Sequence, residues 1–273
     1  MSVRERAVKK VIASTLFAKL ASLATGKKTS DVRRLFNNAL KPSASRSIPV
    51  LQLVLSTLAT RDKLAVVQVG ANDGKTGDPI FSSIHRYGAR ALLIEPQPWL
   101  VSELRANYLG FDGEVIIENI AIGPEQGELG LYVLRRHLWD DYIAKVGRHP
   151  SAIFSPVRAQ LLGRVAPRLG LDKRSAEAAI EKVTVPVDRL CNVMDRHGFN
   201  EAEVVQIDCE GWDFEVIKSL GETRPSVINF ESFNLSDEIW HQFVLWSEKN
   251  GYGFIRGHQD TLAVRGFSQS VIL

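Results

Sequence analysis

Four apolar, β-branched runs in this chain each end in a glycine or an acid. Ala65-Val66-Val67-Gln68-Val69 stops at Gly70-Ala71-Asn72-Asp73-Gly74, and Ala91-Leu92-Leu93-Ile94 stops at Glu95. Val204-Val205-Gln206-Ile207 stops at Asp208-Cys209-Glu210-Gly211, and Ser226-Val227-Ile228-Asn229-Phe230 stops at Glu231. Such runs read as buried strands of a parallel sheet, whose ligands bind outside the carboxyl ends. Gly70 and Gly74 allow a tight turn and close approach to a ligand. Glu95 lies 21 residues past Gly74. In nucleoside-binding folds an acid at that spacing hydrogen-bonds ribose hydroxyls. A dinucleotide loop needs G-x-G-x-x-G, so that helix amides can hold pyrophosphate. Counting from Gly70, Asn72 and Lys75 occupy the second and third glycine positions, and Asp73 would repel phosphate. A carboxylate there suits a cationic amine, such as the ammonium of a methionine moiety. The set points to an adenosyl ligand without phosphates and away from a nicotinamide dinucleotide.

The remaining acids could move a proton. Asp208 and Glu210 are two apart just past a strand end, and Glu231 ends the next strand. Asp208 is the first candidate for a base that accepts a proton from a hydroxyl nucleophile, with Glu210 and Glu231 in support. Each has a structural alternative: Asp208 as a helix cap, Glu210 as a partner of loop amides, Glu231 as a partner of an arginine. Acid clusters also hold divalent metals through oxygen, but no octahedral set is identifiable, so a metal is not favoured. The six histidines show no ligand spacing, and Cys209 reads as a small packed residue.

These residues need a frame. Strands alternating with helices imply a mostly parallel sheet covered on both faces. Helices are expected near 48–60, 77–87, 98–108, 188–198 (capped by Asp188), 212–220 and 237–249. Further strands are expected at 115–117, 130–134 and 183–185. Gly253–Arg256 and Thr261–Val264, joined by a short polar loop, read as an antiparallel edge hairpin. Residues 1–60 read as a helical extension with a linker at Lys41–Ser45, and residues 61–273 as the domain. A basic helical insert at about 135–182 holds ten Lys/Arg against five Asp/Glu. It could bind an anionic acceptor or form a solvated cover.

Net charge is +3, too small to argue for nucleic acid. Two cysteines without metal spacing make no disulfide framework, and a reducing cytoplasm is the simplest setting. No apolar run is long enough to span a membrane. Val8, Ile12, Leu16, Leu20 and Leu23 form one stripe of an amphipathic helix that packs on the domain or a partner. The alternative is contact with an acidic membrane surface. Lys19 interrupts the apolar run that a cleaved signal would need.

The ordered motifs resemble the FkbM family of methyltransferases. They are Val67–Gly74, Leu93-Ile94-Glu95-Pro96, Glu118-Asn119-Ile120-Ala121-Ile122, Val185-Pro186-Val187-Asp188-Arg189-Leu190, Gln206–Gly211 and Asp260-Thr261-Leu262-Ala263. The resemblance covers about residues 64–265. It implies a Rossmann-like class I methyltransferase fold with a seven-stranded sheet. It also implies S-adenosylmethionine as donor and O-methylation of a saccharide or secondary metabolite. Carried over, Gly70, Ala71, Asn72, Asp73 and Gly74 would hold the methionine part. Glu95, with Pro96 beside it, would hold the ribose. Asn119 and its neighbours, Ala121 among them, would line the adenine pocket. Asp208 would stand at the donor–acceptor boundary. Many members carry aspartate where this chain has Gln68, which leaves a neutral amide beneath the glycine turn. Competing readings are an N-methyltransferase, a non-catalytic donor-binding module and, disfavoured by the loop, a nicotinamide dehydrogenase.

Overall fold

The computed structural model describes residues 50–59, 64–147, 149–150, 153–267 and 271–272. The stripe from Val8 to Leu23, the linker at 41–45 and most of the 1–60 extension lie outside the described residues.

One sheet runs through the molecule. Its strands are β1 (Ala65–Val69), β2 (Arg90–Ile94), β3 (Val115–Glu118), β8 (Val204–Ile207), β9 (Val227–Glu231), β10 (Tyr252–Arg256), β11 (Asp260–Arg265) and β12 (Val271–Ile272). The order is β12-β10-β11-β9-β8-β1-β2-β3. β3, β2, β1, β8 and β9 pair in parallel. β11 runs antiparallel between β9 and β10. These are the seven expected strands, and β12 adds two residues parallel to β10.

Both faces of the sheet are covered, because alternate residues of each central strand point to opposite sides. Val66, Ala91, Leu93 and Val204 pack with α1 (Val50–Leu58), α2 (Phe81–Tyr87) and α3 (Pro98–Asn107). Val67, Leu92, Val205 and Ile228 pack with α7 (Leu190–Arg196), α8 (Asp213–Lys218) and α9 (Asp237–Lys249). The first face also buries amides at matching positions: Gln68 is in register with Gln206, and Gln206 with Asn229. Asn229 donates to Gln206 Oε1 at 2.9 Å.

A second sheet was not foreseen. β4 (Ala121–Ile122), β5 (Gly127–Leu134), β6 (Phe154–Ser155) and β7 (Ile180–Asp188) take the order β4-β7-β5-β6. β5 and β7 pair antiparallel over eight residues, from Gly127–Val187 to Leu134–Ile180. The sequence shows both runs but not that they pair with each other across the insert. The insert itself carries α4 (Trp139–Val146), α5 (Arg158–Leu169) and α6 (Lys173–Ala178), together with β6. Leu161, Val165 and Leu169 of α5 close a third core with Trp139, Tyr142 and Ile180.

Two helix boundaries differ from expectation. Residues 77–80 are not helical, and α2 begins at Phe81, because Asp78 Oδ1 takes the amides of Ile80 and Phe81, both at 2.7 Å. The expected cap at Asp188 is not made. Its carboxylate accepts from the Arg189 amide, from the Asn192 side chain and from Arg196 instead.

Candidate functional site

The ends of β1, β2 and β8 converge on two adjoining clefts. The larger has a volume of about 630 Å³. Its floor is Val69, Gly70, Pro96 and Cys209. One wall is Ile120, Ala121 and Ile122 beyond β3. The rest of the lining includes residues of β5 and β6, which share the second sheet with Ala121 and Ile122, and Val157, Gln160 and Arg164 around α5. The smaller, about 80 Å³, lies under the glycine turn among Gln68, Gly70, Ala71, Asn72, Asp78, Glu95 and Asp208. Gly70, Phe154 and Glu210 line both.

The turn is held from below. The amides of Gly70 and Ala71 both donate to the Ile94 carbonyl at 3.0 Å. Gly70 has φ +79°, and a Cβ there would sit 1.9 Å from the Asp208 carbonyl oxygen. Asn72 has φ +53°, a left-handed conformation that asparagine tolerates. Its amide donates to Glu95 Oε2 at 2.8 Å. Glu95 Oε1 accepts from the amide and side chain of Gln97 at 2.9 and 3.2 Å. Burial pushes the Glu95 carboxyl up to about 7, against those hydrogen bonds. The acid that the spacing placed opposite the glycine turn therefore touches it directly.

Other candidates occupy different positions. Asp73 lines neither cleft. Its carboxylate turns back to the amides of Lys75 and Thr76 and to the Thr76 hydroxyl. Burial opposes its ionisation, but the Thr76 and Lys75 hydrogen bonds outweigh burial and hold it below the usual carboxylate value. Gly74 also lines neither cleft, and a Cβ there would meet Leu104 Cδ1 at 2.2 Å. Its bareness serves packing against α3. Asn119 stands outside both clefts and donates to the Glu95 carbonyl at 2.8 Å, bracing the end of β2. Ala121 and Pro96 line the larger cleft.

Asp208 faces the smaller cleft with an exposed side chain. Surrounding protein and then repulsion from Asp213, Glu231, Glu210 and Asp260 push it up to about 7. It does not cap α8. Asp213, fully buried, takes the amides of Cys209 and Gly211 at 3.3 and 3.1 Å. Burial lifts Asp213 to about 7 as well. Glu210, at φ +53°, pairs with Arg164 at 3.4 Å. Burial and Glu231 raise its carboxyl against the pull of Arg164. Glu231 lines neither cleft and accepts from the Asn234 side chain at 2.7 Å, not from an arginine. Burial pushes the Cys209 thiol up, which makes it a poor nucleophile.

Four residues of the site escaped the sequence reading. Asp78 and Asp213 have a local signal, an acid at the opening of a helix. Arg164 and Phe154 have none, since only the folded insert brings them to the cleft. Among the described residues no group of three or more His, Cys, Asp or Glu is disposed to hold a metal. No helix among them is long and apolar enough to cross a membrane.

The sheet order, with a lone antiparallel strand inside the carboxy-terminal edge, and the cleft over the ends of β1, β2 and β8 define the class I methyltransferase fold. Within it the chain belongs to the FkbM family, for the family described as Methyltransferase FkbM domain matches residues 68–256. Among solved structures the chain is similar to an FkbM methyltransferase from Methylobacillus flagellatus. The identity is 12% and the TM-score 0.42, over 86% of this chain and 60% of that one. It thus spans about 60% of that protein's length. It is also similar to a SAM-dependent O-methyltransferase from Thermotoga maritima (7% identity, TM-score 0.39, 86% and 70% covered). A third is an O-methyltransferase from Bacillus cereus in complex with SAH (12%, 0.39, 88% and 92%). No curated protein matches the sequence.

Proposed function

We propose that this protein transfers a methyl group from S-adenosylmethionine to a hydroxyl of a saccharide or another small metabolite. The observation that carries the reading is the bond from Asn72 N to Glu95 Oε2 at the edge of an open cleft. It sets Glu95, in this reading the partner of the ribose, against a turn that lacks the second and third glycines of a dinucleotide loop. Glu95 Oε2 accepts one hydrogen bond from the protein and keeps a second lone pair for a ribose hydroxyl. The larger cleft falls within the size of ordinary small-molecule sites. An orphaned buried acceptor, Gln68 Oε1, borders the smaller one. Both features fit a ligand that brings an apolar base at one end and hydrogen-bond donors at the other.

When bound, the donor supplies a methyl group already activated by its sulfonium. The chain's own residues then do the rest. Pro96, Ile120 and Ala121 offer an apolar seat for a base. Asp208, open to the cleft and free of any hydrogen bond to its carboxylate among the described residues, takes the acceptor's proton. Phe154 and the second sheet shield the joint between the clefts from water.

Calorimetry with S-adenosylhomocysteine, with NAD as competitor, tests the donor. Radiolabelled methyl transfer to a panel of glycans and amines tests the acceptor. The expected outcome is tight nucleoside binding unaffected by NAD, and label on a hydroxyl. Label on amines alone would favour N-methylation, which the acids around Asp208 would also suit by attracting a cation. Binding without turnover on any acceptor would leave a donor-binding module.

A further inference from the structure

The larger cleft crosses the sheet edge from Ile120 and Ala121, past β3, to Asn234 and Ser236, past β9. The order β3-β2-β1-β8-β9 puts four strand spacings between β3 and β9, roughly 19 Å. The apolar seat proposed for the base, at Pro96, Ile120 and Ala121, takes one end. The other end is lined by Trp212, Phe214, Asn234, Ser236 and Ile239. Trp212 is fixed there by its backbone. Glu210 and Gly211, at φ +53° and +98°, turn the chain sharply after β8. The Trp212 amide then donates to the Cys209 carbonyl at 3.1 Å, and its carbonyl accepts the Glu215 and Val216 amides at 3.0 and 3.2 Å. The indole is not used in the same way. Trp99, Trp139, Trp240 and Trp246 each pack against another aromatic ring. Among the described residues Trp212 makes no ring contact and its Nε1 no hydrogen bond, and it is 39% exposed. Large aromatic side chains are normally packed away, so one kept bare in the lining of a cleft is a surface for a ligand.

We propose that Trp212 is the platform on which the methyl acceptor lies, and that it selects a saccharide ring. The inference rests on the donor's base occupying the Pro96 end, and it deepens that reading by naming the residue that chooses the acceptor. A pyranose shows C–H bonds on its faces and hydroxyls around its edge. The negative face of an indole attracts the C–H hydrogens, and Nε1–H donates to a hydroxyl oxygen. Asn234, Ser236 and Glu210 line the same cleft and suit the edge. Asn234 gives Nδ2 to Glu231 at 2.7 Å, which leaves its Oδ1 to accept from a hydroxyl. A Cβ on Gly211 would stand 3.7 Å from Asn234 Cβ, so that amide lies against the turn that carries the indole. Asp208, four residues before Trp212, is the base proposed for the hydroxyl that reacts. An open-chain polyol has the hydroxyls without the flat face, and a simple phenol has the face without the hydroxylated edge.

The test measures radiolabelled methyl transfer to methyl pyranosides, to the matching open-chain alditols and to simple phenols, with S-adenosylhomocysteine affinity followed by calorimetry. The wild-type protein should methylate a pyranoside and prefer it to its alditol. Trp212→Ala should raise KM for that pyranoside roughly tenfold, the scale of a stacked aromatic contact, with a much smaller change in kcat. Its KM for the alditol should move little, and Trp212→Phe should recover most of the loss. Retained S-adenosylhomocysteine affinity shows that each variant folds. A Trp212→Ala protein with the wild-type pyranoside KM would overturn the proposal, as would equal losses for pyranoside and alditol, or a wild-type preference for phenols. A wild-type protein that binds S-adenosylhomocysteine but labels no pyranoside would also overturn it and leave the donor standing. Failure to bind S-adenosylhomocysteine at all would remove the donor reading instead.

Discussion

At the scale of single residues the proposed base is Asp208, and its environment sets the pH at which it could act. Surrounding protein and neighbouring acids lift its carboxyl to about 7, so the proposed base is ready only as the pH rises through that value. We expect kcat/KM to climb with pH through about 7 and then level off. In Asp208→Asn, kcat should fall on the order of 10²- to 10⁴-fold, the usual contribution of a general base, with S-adenosylhomocysteine affinity retained. A variant that turns over at the wild-type rate would remove the role. Glu95 and Asp213 bear on stability. Each is lifted to about 7 by burial, from ordinary values of 4.5 and 3.8. A carboxyl that binds its proton more tightly when folded contributes fully below its unfolded pKa, and that contribution is lost as pH rises through the folded value. The melting temperature should therefore drop between about pH 5 and about pH 8. E95Q and D213N should each flatten the drop, and a wild-type profile that rises over this window would contradict the assignment.

Turns show most clearly what an element can tolerate. Gly70 and Gly110 share a φ of +79°, but a Cβ at Gly70 would strike the Asp208 carbonyl, whereas one at Gly110 meets nothing within 4 Å. Gly110→Ala should lose about 1 kcal/mol, the strain of a left-handed alanine alone. Gly70→Ala adds a backbone clash and should lose about 3 kcal/mol or more, and with it nucleoside binding. Urea unfolding of the two variants makes the comparison. α9 shows an element read well from sequence. Its apolar residues recur with helical spacing, and Ser236 caps it through the Ile239 amide. α2 shows the opposite. Its apolar spacing extends back past Phe81, but Asp78 competes for the amides that would have lengthened the helix, and side-chain competition of that kind is hard to weigh against periodicity.

At the scale of the whole molecule, the described residues form a two-faced sheet with a second sheet beside it and three α-helices in the insert, and β5, β6 and α5 line the cleft at the carboxyl ends of the main strands. Leu161, fully buried in the core under that second layer, is its keystone. Leu161→Ala should lower stability by about 2–5 kcal/mol by leaving a cavity. It should weaken acceptor turnover more than binding of methylthioadenosine, whose proposed apolar seat at Pro96 and Ile120 lies outside that core. The sequence by itself determined the parallel sheet and the closeness of Glu95 to the glycine turn. Buried strands are local apolar runs, and their carboxyl ends must share one rim. Only the tertiary structure decided that β5 pairs with β7, that Phe154 and Arg164 reach the cleft, and that Asp78 rather than Asp73 borders it. Those outcomes depend on pairings across 40 or more residues and on which amides a carboxylate finds first, and neither leaves a period or a spacing in the chain.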